Sequence, residues 1–256
     1  MVAVVTTRTL IQPDQTTAHA PLRGSIQLSI LGGFELRSGD APLSALAPEA
    51  QRLLALLALR DRPVPRAAIA GTLWPDASEM HASASLRSAL SRLGVLGHEA
   101  IVITAADLAL APATVVDLHD ARALAHRLLD TPPPADLSAA AIQSLSADCL
   151  PDWYEDWAII ESEEWRQLRL HALDALALHL TAAGRFGDAV AAALAAMRAE
   201  PLRESACAAL IRVHLAEGNQ SEAIRAFEQF RTSLARELGI EPTPALRSLL
   251  PQRSHP

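Results

Sequence analysis

PRAAIAGTLWPDASEMHASASLRSALSRL, at residues 65 to 93, decides the fold, because its pattern predicts two short helices joined by a turn. Pro75 cannot continue the first helix, since it lacks a backbone N–H and restricts the residue before it. Either Asp76 or Ser78 can cap the second helix, because a short side-chain oxygen accepts hydrogen bonds from amides left free in the first turn. The segment therefore predicts a helix-turn-helix.

The second of these helices has two faces of different character. Its apolar stripe consists of Leu86, Leu90 and Leu93, which recur at the helical period. The other side is small, polar and basic, and its candidate DNA-contacting residues are Ser83, Ala84, Arg87, Ser88, Ser91 and Arg92. Such a face suits a major groove, because small residues let the helix approach while arginine and serine bond bases or phosphates. An ordinary amphipathic helix with solvated arginines is the alternative, and periodicity alone favours it.

The flanking segments favour a DNA-binding domain over that alternative. Residues 25–43 alternate around two glycines at 32 and 33, which predicts a small antiparallel sheet. Residues 48–60 begin with proline and continue as a leucine-faced helix. Residues 100–112 alternate again and predict a closing hairpin. Helices followed by a hairpin amount to a winged helix-turn-helix, and the preceding sheet is typical of response-regulator output domains.

The rest of the chain predicts helices. Residues 117–129 read as a capped amphipathic helix, and TPPPAD at 131–136 as a polyproline-type spacer. An internal repeat follows at the tetratricopeptide period of 34 residues, since GRFGDAV at 184–190 recurs as GNQSEAI at 218–224. These helices should stack as a short right-handed solenoid, and they are expected near residues 161–183, 186–199, 203–217 and 220–238.

Composition and charge set limits on function. The net charge is −7, which argues against a nucleic-acid binder, yet the acidity is concentrated in the C-terminal half. Residues 21–118 hold eight arginines against nine acidic residues, whereas residues 148–250 hold ten against sixteen. A near-neutral N-terminal domain should bind DNA weakly unless tandem copies cooperate. Aromatic residues make up only 4% of the chain, so extensive stacking on single-stranded nucleic acid is not expected.

The sequence carries no signal for export or for a membrane. Residues 1–23 read as a disordered tail rather than a signal peptide, and residues 251–256 as a second tail. No apolar run approaches the length of a membrane span. Cys149 and Cys207 are isolated in sequence, which predicts buried thiols in a reducing cytosol. A soluble, cytoplasmic protein is therefore expected.

No residue pattern predicts catalysis, a metal site or a cofactor. His171 and His179 lie too far apart on one predicted helix to share a metal, and no nucleophile or phosphate-binding motif occurs. Glu161, Glu163 and Glu164 read as the solvated start of a long helix rather than a catalytic pair. The chain is therefore expected not to be an enzyme.

One dense cluster of aromatic and acidic residues allows two interpretations. It consists of Asp152, Trp153, Tyr154, Glu155, Asp156 and Trp157. The rings either pack a junction between domains while the acids face water, or they anchor a partner within an acidic rim. Packing at the junction is the favoured interpretation.

Taken in order, several segments resemble the Streptomyces antibiotic regulatory protein family. They are ILGGFEL, RLLALLALR, LWPDASEMHASASLRSALSRL, LPDWYEDW, EPLRESACAALIRVHLAEGNQSEAIRAFEQFR and ELGIEPTPALRSL. The resemblance implies a mainly helical chain with a small β component. An OmpR-like winged helix would occupy residues 24–112, and a bacterial transcriptional activator domain of tetratricopeptide type residues 113–250. Composition alone would put the domain boundary at the prolines of residues 131–136, whereas the resemblance puts it at about residue 113. The resemblance also implies head-to-tail binding of a homodimer to direct repeats in promoter DNA and recruitment of RNA polymerase.

The resemblance carries over to particular residues. Arg87, Ser88 and Arg92 match the recognition helix of the family. Arg52 together with Trp74 matches places that contact the DNA backbone or position that helix, although core packing explains Trp74 equally well. These residues complete the set of candidate DNA contacts.

Two departures from the family pattern bear on affinity. Family members commonly carry a further basic residue where this chain has Gly94, and a basic or glycine-rich wing where it has ThrAlaAlaAsp at 104–107. The wing should therefore add little phosphate binding, and Asp107 should repel DNA. The alternative function is a protein-interaction scaffold whose winged helix has lost DNA binding.

Overall fold

The computed structural model describes residues 26–39, 41–42, 46–130 and 139–251. The tails predicted at 1–23 and 251–256, apart from Pro251, and the proline-rich spacer at 131–136 lie outside these ranges.

Helices account for most of the described residues, as predicted. They are α1 (Pro48–Arg60), α2 (Arg66–Leu73), α3 (Glu79–Ser91), α4 (Gly94–Glu99), α5 (Asp117–Leu129), α6 (Ala139–Ser146), α7 (Asp156–Ala182), α8 (Phe186–Ala199), α9 (Glu204–Glu217), α10 (Gln220–Leu238) and α11 (Pro244–Arg247). The helices α1 to α3 belong to the winged helix, and those from α5 onward build the C-terminal half.

The strands form two small sheets. They are β1 (Ile26–Ser29), β2 (Glu35–Ser38), β3 (Ala41–Pro42), β4 (Val64–Pro65), β5 (Ile101–Ile103), β6 (Asp107–Leu110) and β7 (Thr114–Val116). One sheet has the order β3-β2-β1-β7, and the other has the order β4-β6-β5. Neighbouring strands are antiparallel except for β1 and β7, which run parallel.

The N-terminal sheet confirms the predicted alternation. Leu28 of β1 lies opposite Leu36 of β2, and both side chains are buried together with Ile26. Gly32 and Gly33 turn the chain between the two strands with φ angles of 77° and 149°, which glycine adopts most readily. The sequence did not predict β7, which joins this sheet from beyond the winged helix and so connects the two halves of the chain.

The first helix forms the centre of the winged helix. It begins at Pro48, as predicted, and its residues 53–59 are all buried because α2, α3 and β6 contact it on different sides. The predicted hairpin is present as β5 and β6, whereas β4 and the short helix α4 were not predicted. The buried leucines of α1 therefore hold α2, α3 and the hairpin together.

The C-terminal helices confirm the predicted repeat. The bounds of α8, α9 and α10 agree with prediction to within one residue, whereas α7 begins at Asp156 instead of near residue 161. Gly184 and Gly218 follow α7 and α9 with φ angles of 71° and 88°, so each glycine ends a helix as expected. Ala189 and Ala223, at equivalent repeat positions, are fully buried and let successive helices approach closely.

The helix α5 has the predicted bounds but not the predicted cap. Val116, which precedes it, offers no side-chain hydrogen bond. The carboxylate of Asp117 instead accepts hydrogen bonds from the N–H groups of Ile30 at 2.9 Å, Leu31 at 3.2 Å and Leu118 at 2.7 Å. Burial raises the pKa of Asp117 against the opposing effect of these donors. This carboxylate therefore ties the start of α5 to the end of β1.

Two tryptophans of the aromatic cluster pack at the junction between the halves. Trp153 stacks on Phe34 with ring centroids 6.1 Å apart and meets Trp157 edge-on at 5.9 Å. Trp157 is only 7% exposed, which confirms the favoured interpretation for these rings. For Tyr154 the favoured interpretation is wrong, because this side chain is 80% exposed instead of packed at the junction.

The prediction that Glu161 is solvated is wrong. Its side chain is 12% exposed and accepts hydrogen bonds from Arg60 of α1 at 3.1 Å and from Arg122 of α5 at 3.2 Å. A carboxylate withdrawn from water is stable when charged donors surround it in this way. Glu163 and Glu164 are exposed, as predicted. The junction therefore holds an ion-pair network as well as stacked rings.

Candidate nucleic-acid interface

The start of α3 is fixed by Ser78. Its Oγ accepts a hydrogen bond from the N–H of His81 at 3.4 Å and lies 2.7 Å from Nδ1 of the same histidine. Ser78 rather than Asp76 is thus the cap, and Glu79 lies in the first turn, where the helix dipole favours a carboxylate.

The inner face of α3 confirms the predicted apolar stripe. Leu86, Leu90 and Leu93 are 2%, 7% and 1% exposed, and Ala82 and Ala89 are buried between them. This face packs mainly against α2, with further contacts to α1. Burial of three leucines fixes the rotation of the helix, so the outer face has a defined direction.

The outer face of α3 presents most of the predicted DNA contacts to solvent. Ala84, Arg87, Ser88, Ser91 and Arg92 are exposed, and Ser83 lies half-buried at the edge of the face. The structure therefore brings these six predicted residues together on one surface.

The two arginines of this face differ in their surroundings. Within the described part of the chain, no hydrogen bond or ion pair engages the side chain of Arg87. Arg92 lies 3.5 Å from the carboxylate of Glu49, which is in the first turn of α1. Ser91 donates its hydroxyl to the carbonyl of Ser88 at 2.8 Å. Arg87 can therefore turn to a base edge without breaking an interaction within the protein, whereas Arg92 must first leave Glu49.

Arg52 on α1 and Trp74 after α2 have partners within the protein. Arg52 donates to the carbonyl of Leu73 at 2.8 Å. Its Nε is 2.9 Å from a carboxylate oxygen of Glu155, but the N–H does not point at that oxygen, so the contact is an ion pair without an aligned hydrogen bond. Trp74 follows α2 and packs half-buried against the core. Both residues support the turn before α3, and their contact with DNA stays a prediction.

The wing is a compact hairpin without a basic residue at its tip. The N–H of Thr104 donates to the carbonyl of Asp107 at 3.0 Å, and the N–H of Asp107 donates to the hydroxyl of Thr104 at 2.8 Å. Val102 and Ile103 are each 43% exposed on β5. The wing therefore offers apolar and backbone groups rather than cations.

Arg66 supplies the cation that the wing lacks. Its N–H donates to the carbonyl of Ala106 at 2.9 Å, and its guanidinium donates to the carbonyl of Thr104 at 3.4 Å. Its place against the wing follows from the pairing of Pro65 with Asp107, and a two-residue strand gives no periodic signal in the sequence.

The described residues offer little for other kinds of site. No group of three or more His, Cys, Asp or Glu side chains within them is arranged to hold a metal ion, and none of their helices has the length and apolarity needed to cross a membrane. Cys149 and Cys207 are buried, as predicted, and burial raises their pKa values to about 11 and about 12. Both thiols are therefore protonated and unreactive near neutral pH.

Comparison with protein families and solved structures gives a consistent result. Residues 113–252 match the model of the bacterial transcriptional activator domain. The chain is 31% identical to the regulatory protein AfsR of Streptomyces griseus over 93% of this chain and 25% of that protein. It is 28% identical to the transcriptional regulatory protein EmbR of Mycobacterium tuberculosis over 90% of this chain and 63% of that protein.

A solved structure resembles most of this chain. It is that of Mycobacterium tuberculosis EmbR in complex with a low-affinity phosphopeptide, with a TM-score of 0.61 and 25% sequence identity. The likeness covers 88% of this chain and 64% of the EmbR chain. This chain thus spans about a quarter of the length of AfsR and less than two thirds of EmbR.

Proposed function

Since the chain belongs to the Streptomyces antibiotic regulatory protein family, we propose that it is a sequence-specific DNA-binding transcriptional regulator. The observation that carries the proposal is the outer face of α3, where small residues, serines and Arg87 share one exposed surface opposite a buried leucine stripe. The winged helix would occupy residues 24–112 and the activator domain residues 113–250.

Recognition starts with α3 in a major groove. Ala84 leaves room for the helix to approach base edges, Ser88 bonds a base or a phosphate, and Arg87 makes two hydrogen bonds to a guanine. Arg92 and Arg66 neutralise phosphates on either side of this contact, because one lies at the C-terminal end of α3 and the other at the wing. Base readout thus comes from the middle of α3.

The winged helix carries little net positive charge, so two copies must cooperate to bind DNA tightly. The arginines of the winged helix share their surroundings with exposed or half-buried carboxylates, among them Glu49, Glu79 and Asp107. One copy should therefore bind DNA weakly, whereas two copies head to tail on a direct repeat gain affinity through their effective concentration.

The C-terminal half is the part that would act on transcription. The proposed mode is activation: a homodimer bound at a promoter recruits RNA polymerase in the cytoplasm, without enzymatic chemistry of its own. The family model supports activation, since residues 113–252 match the bacterial transcriptional activator domain, and the names of AfsR and EmbR support a regulatory role. Ion pairs from Arg52 and Arg60, together with the stacked rings, would hold the activator domain against the winged helix.

Fluorescence anisotropy against promoter fragments from the neighbourhood of the encoding gene tests the proposal. A few phosphate contacts predict a slope of log affinity against log salt of about −3 for each bound domain. Binding that selects one fragment and weakens with salt at this slope supports the regulator. Folded protein that binds none of the fragments at low salt contradicts it.

A second candidate is a protein-interaction scaffold whose winged helix has lost DNA binding. Two observations favour it: the wing tip carries no cation of its own, and the carboxylate of Glu49 lies beside Arg92. The scaffold predicts binding that is equal for all DNA fragments or undetectable, so the same titration separates the two functions.

A further inference from the structure

A recess of about 370 Å³ lies where the two halves of the chain meet. Thr72 and Pro75 line it from the end of α2 and the turn that follows, whereas Tyr154, Asp156 and Trp157 line it from the start of α7. Its volume is within the range of about 300–1,000 Å³ that is typical of small-molecule sites. The recess is therefore large enough for a small ligand that contacts both halves.

Trp157 contributes a buried hydrogen-bond donor that lacks an acceptor. The residue is 7% exposed, and within the described part of the chain its indole Nε1–H meets no hydrogen-bond partner. A buried donor left without a partner is costly, and folded proteins satisfy nearly all such groups. A ligand in the recess that Trp157 borders can bring the missing acceptor.

The charges that line the recess favour a cationic ligand. Arg52 is the one basic residue among those that line it, and its Nε already lies 2.9 Å from a carboxylate oxygen of Glu155. Asp156 is exposed, and no ion pair or hydrogen bond engages its carboxylate within the described ranges. One negative charge of the recess therefore remains uncompensated. The exposed ring of Tyr154 borders the same space and can attract a cation to its face.

We propose that this recess binds a primary amine in which a neutral carbonyl group neighbours the ammonium group, as in an α-amino acid amide. The ammonium group pairs with the carboxylate of Asp156 beside the ring of Tyr154. The carbonyl oxygen accepts the hydrogen bond of the Trp157 Nε1–H. This binding goes beyond the proposed function and does not require DNA.

A neutral carbonyl fits the recess better than a carboxylate. Among the lining residues, Glu155 and Asp156 place two carboxylates against the single cation of Arg52, so a further anion would be repelled. Arg52 is also held in place, because it donates to the carbonyl of Leu73 at 2.8 Å. An amine whose acceptor is uncharged therefore satisfies both Asp156 and the Nε1–H of Trp157 without adding a negative charge.

Nuclear magnetic resonance of the indole N–H groups tests the proposal on the full chain. The chain has four tryptophans, and the Trp157→Phe variant identifies which indole signal belongs to Trp157. The probes are the amides of the standard α-amino acids, each with its N-acetylated derivative as the control that lacks the ammonium group. We expect at least one amide to move the Trp157 signal downfield in a saturable titration, because the indole N–H gains an acceptor, while its N-acetylated derivative leaves the signal unchanged.

Variants of exposed residues test the groups that the ammonium group should meet. Asp156→Asn removes the uncompensated charge and should weaken binding of that amide about fivefold. Tyr154→Ala should weaken it about threefold, whereas Tyr154→Phe, which keeps a ring, should match the parent. Asp152→Asn is the matched control, because Asp152 is exposed four residues before Asp156 but does not line the recess. Circular dichroism and thermal unfolding check that the variants keep the fold.

Three results would overturn the amine site. One is a Trp157 signal that no amide moves, and another is equal movement by an amide and its N-acetylated derivative. The third is equal affinity of folded Asp156→Asn and Asp152→Asn for the amide. The same ammonium and carbonyl groups also occur at the amino terminus of a peptide, and either source supports the proposal. Tighter binding by an amidated tripeptide with the same first residue assigns the site to a peptide, and tighter binding by the single amide assigns it to a small molecule.

Discussion

Glu49→Gln is predicted to strengthen DNA binding, because Glu49 competes with phosphate for Arg92. The carboxylate lies 3.5 Å from the guanidinium, and the two side chains are 41% and 55% exposed. An ion pair this exposed is worth at most about 1 kcal/mol. Arg92 must give up that interaction to reach DNA, so removing the carboxylate should increase affinity by up to about fivefold at low salt.

The salt dependence of DNA affinity and the unfolding free energy of Glu49→Gln provide two further checks on this competition. With Arg92 free to meet a phosphate, the slope of log affinity against log salt should steepen by up to about 0.9. The gain should shrink above about 0.5 M salt, where exposed charges are screened within a few ångströms. Loss of an acid from the first turn of α1 should lower the unfolding free energy by about 0.3–1 kcal/mol.

Glu222→Gln is the matched control for this prediction. Glu222 also lies in the first turn of a helix, α10, and pairs with an exposed arginine, Arg225, at 3.1 Å. Anisotropy of both variants on one promoter fragment measures the difference. Affinities and salt slopes that agree between Glu49→Gln and Glu222→Gln would refute the competition.

Two further predictions concern the wing and the junction. Arg66→Gln should weaken binding to all DNA fragments alike and reduce the salt slope by about one, because the contact is to phosphate; a changed preference among fragments would assign Arg66 to base readout instead. Glu161→Ala should lower the unfolding free energy by about 2 kcal/mol in urea titrations, because two largely buried arginines lose their shared carboxylate. A loss below about 0.5 kcal/mol would show that the junction does not depend on this network.

Local patterns in the sequence predicted most of the longer helices and the face of α3. Gly184 and Gly218 mark helix ends through their own backbone preference, and the leucines of α3 repeat at the helical period, so both signals lie within a few residues. Because the leucine stripe of α3 is buried, the residues on the opposite side of the helix must face solvent. The choice between two candidate caps depended on geometry, because Asp76 and Ser78 offer the same chemistry two residues apart.

Contacts between distant segments were not predictable from those patterns. Glu161 is buried because arginines from α1 and α5 converge on it, and Arg52 meets Glu155 across the junction. Arg66 reaches the wing through a pairing of only two residues. The charges of these residues are visible in the sequence, but their partners lie tens of residues away. The network at the junction and the cation at the wing therefore needed the three-dimensional structure.

The most direct test of the central claim compares Arg87→Ala with Arg198→Ala on the promoter fragment that the parent protein prefers. Arg198 is an exposed arginine on α8, so both variants lose one positive charge from a helix surface. Recognition by α3 predicts that Arg87→Ala lowers affinity by about 1–3 kcal/mol and relaxes the preference among fragments, while Arg198→Ala and both thermal unfolding curves stay at parental values. Equal affinity of the two variants, with the fold intact, would contradict the assignment of α3 as the recognition helix.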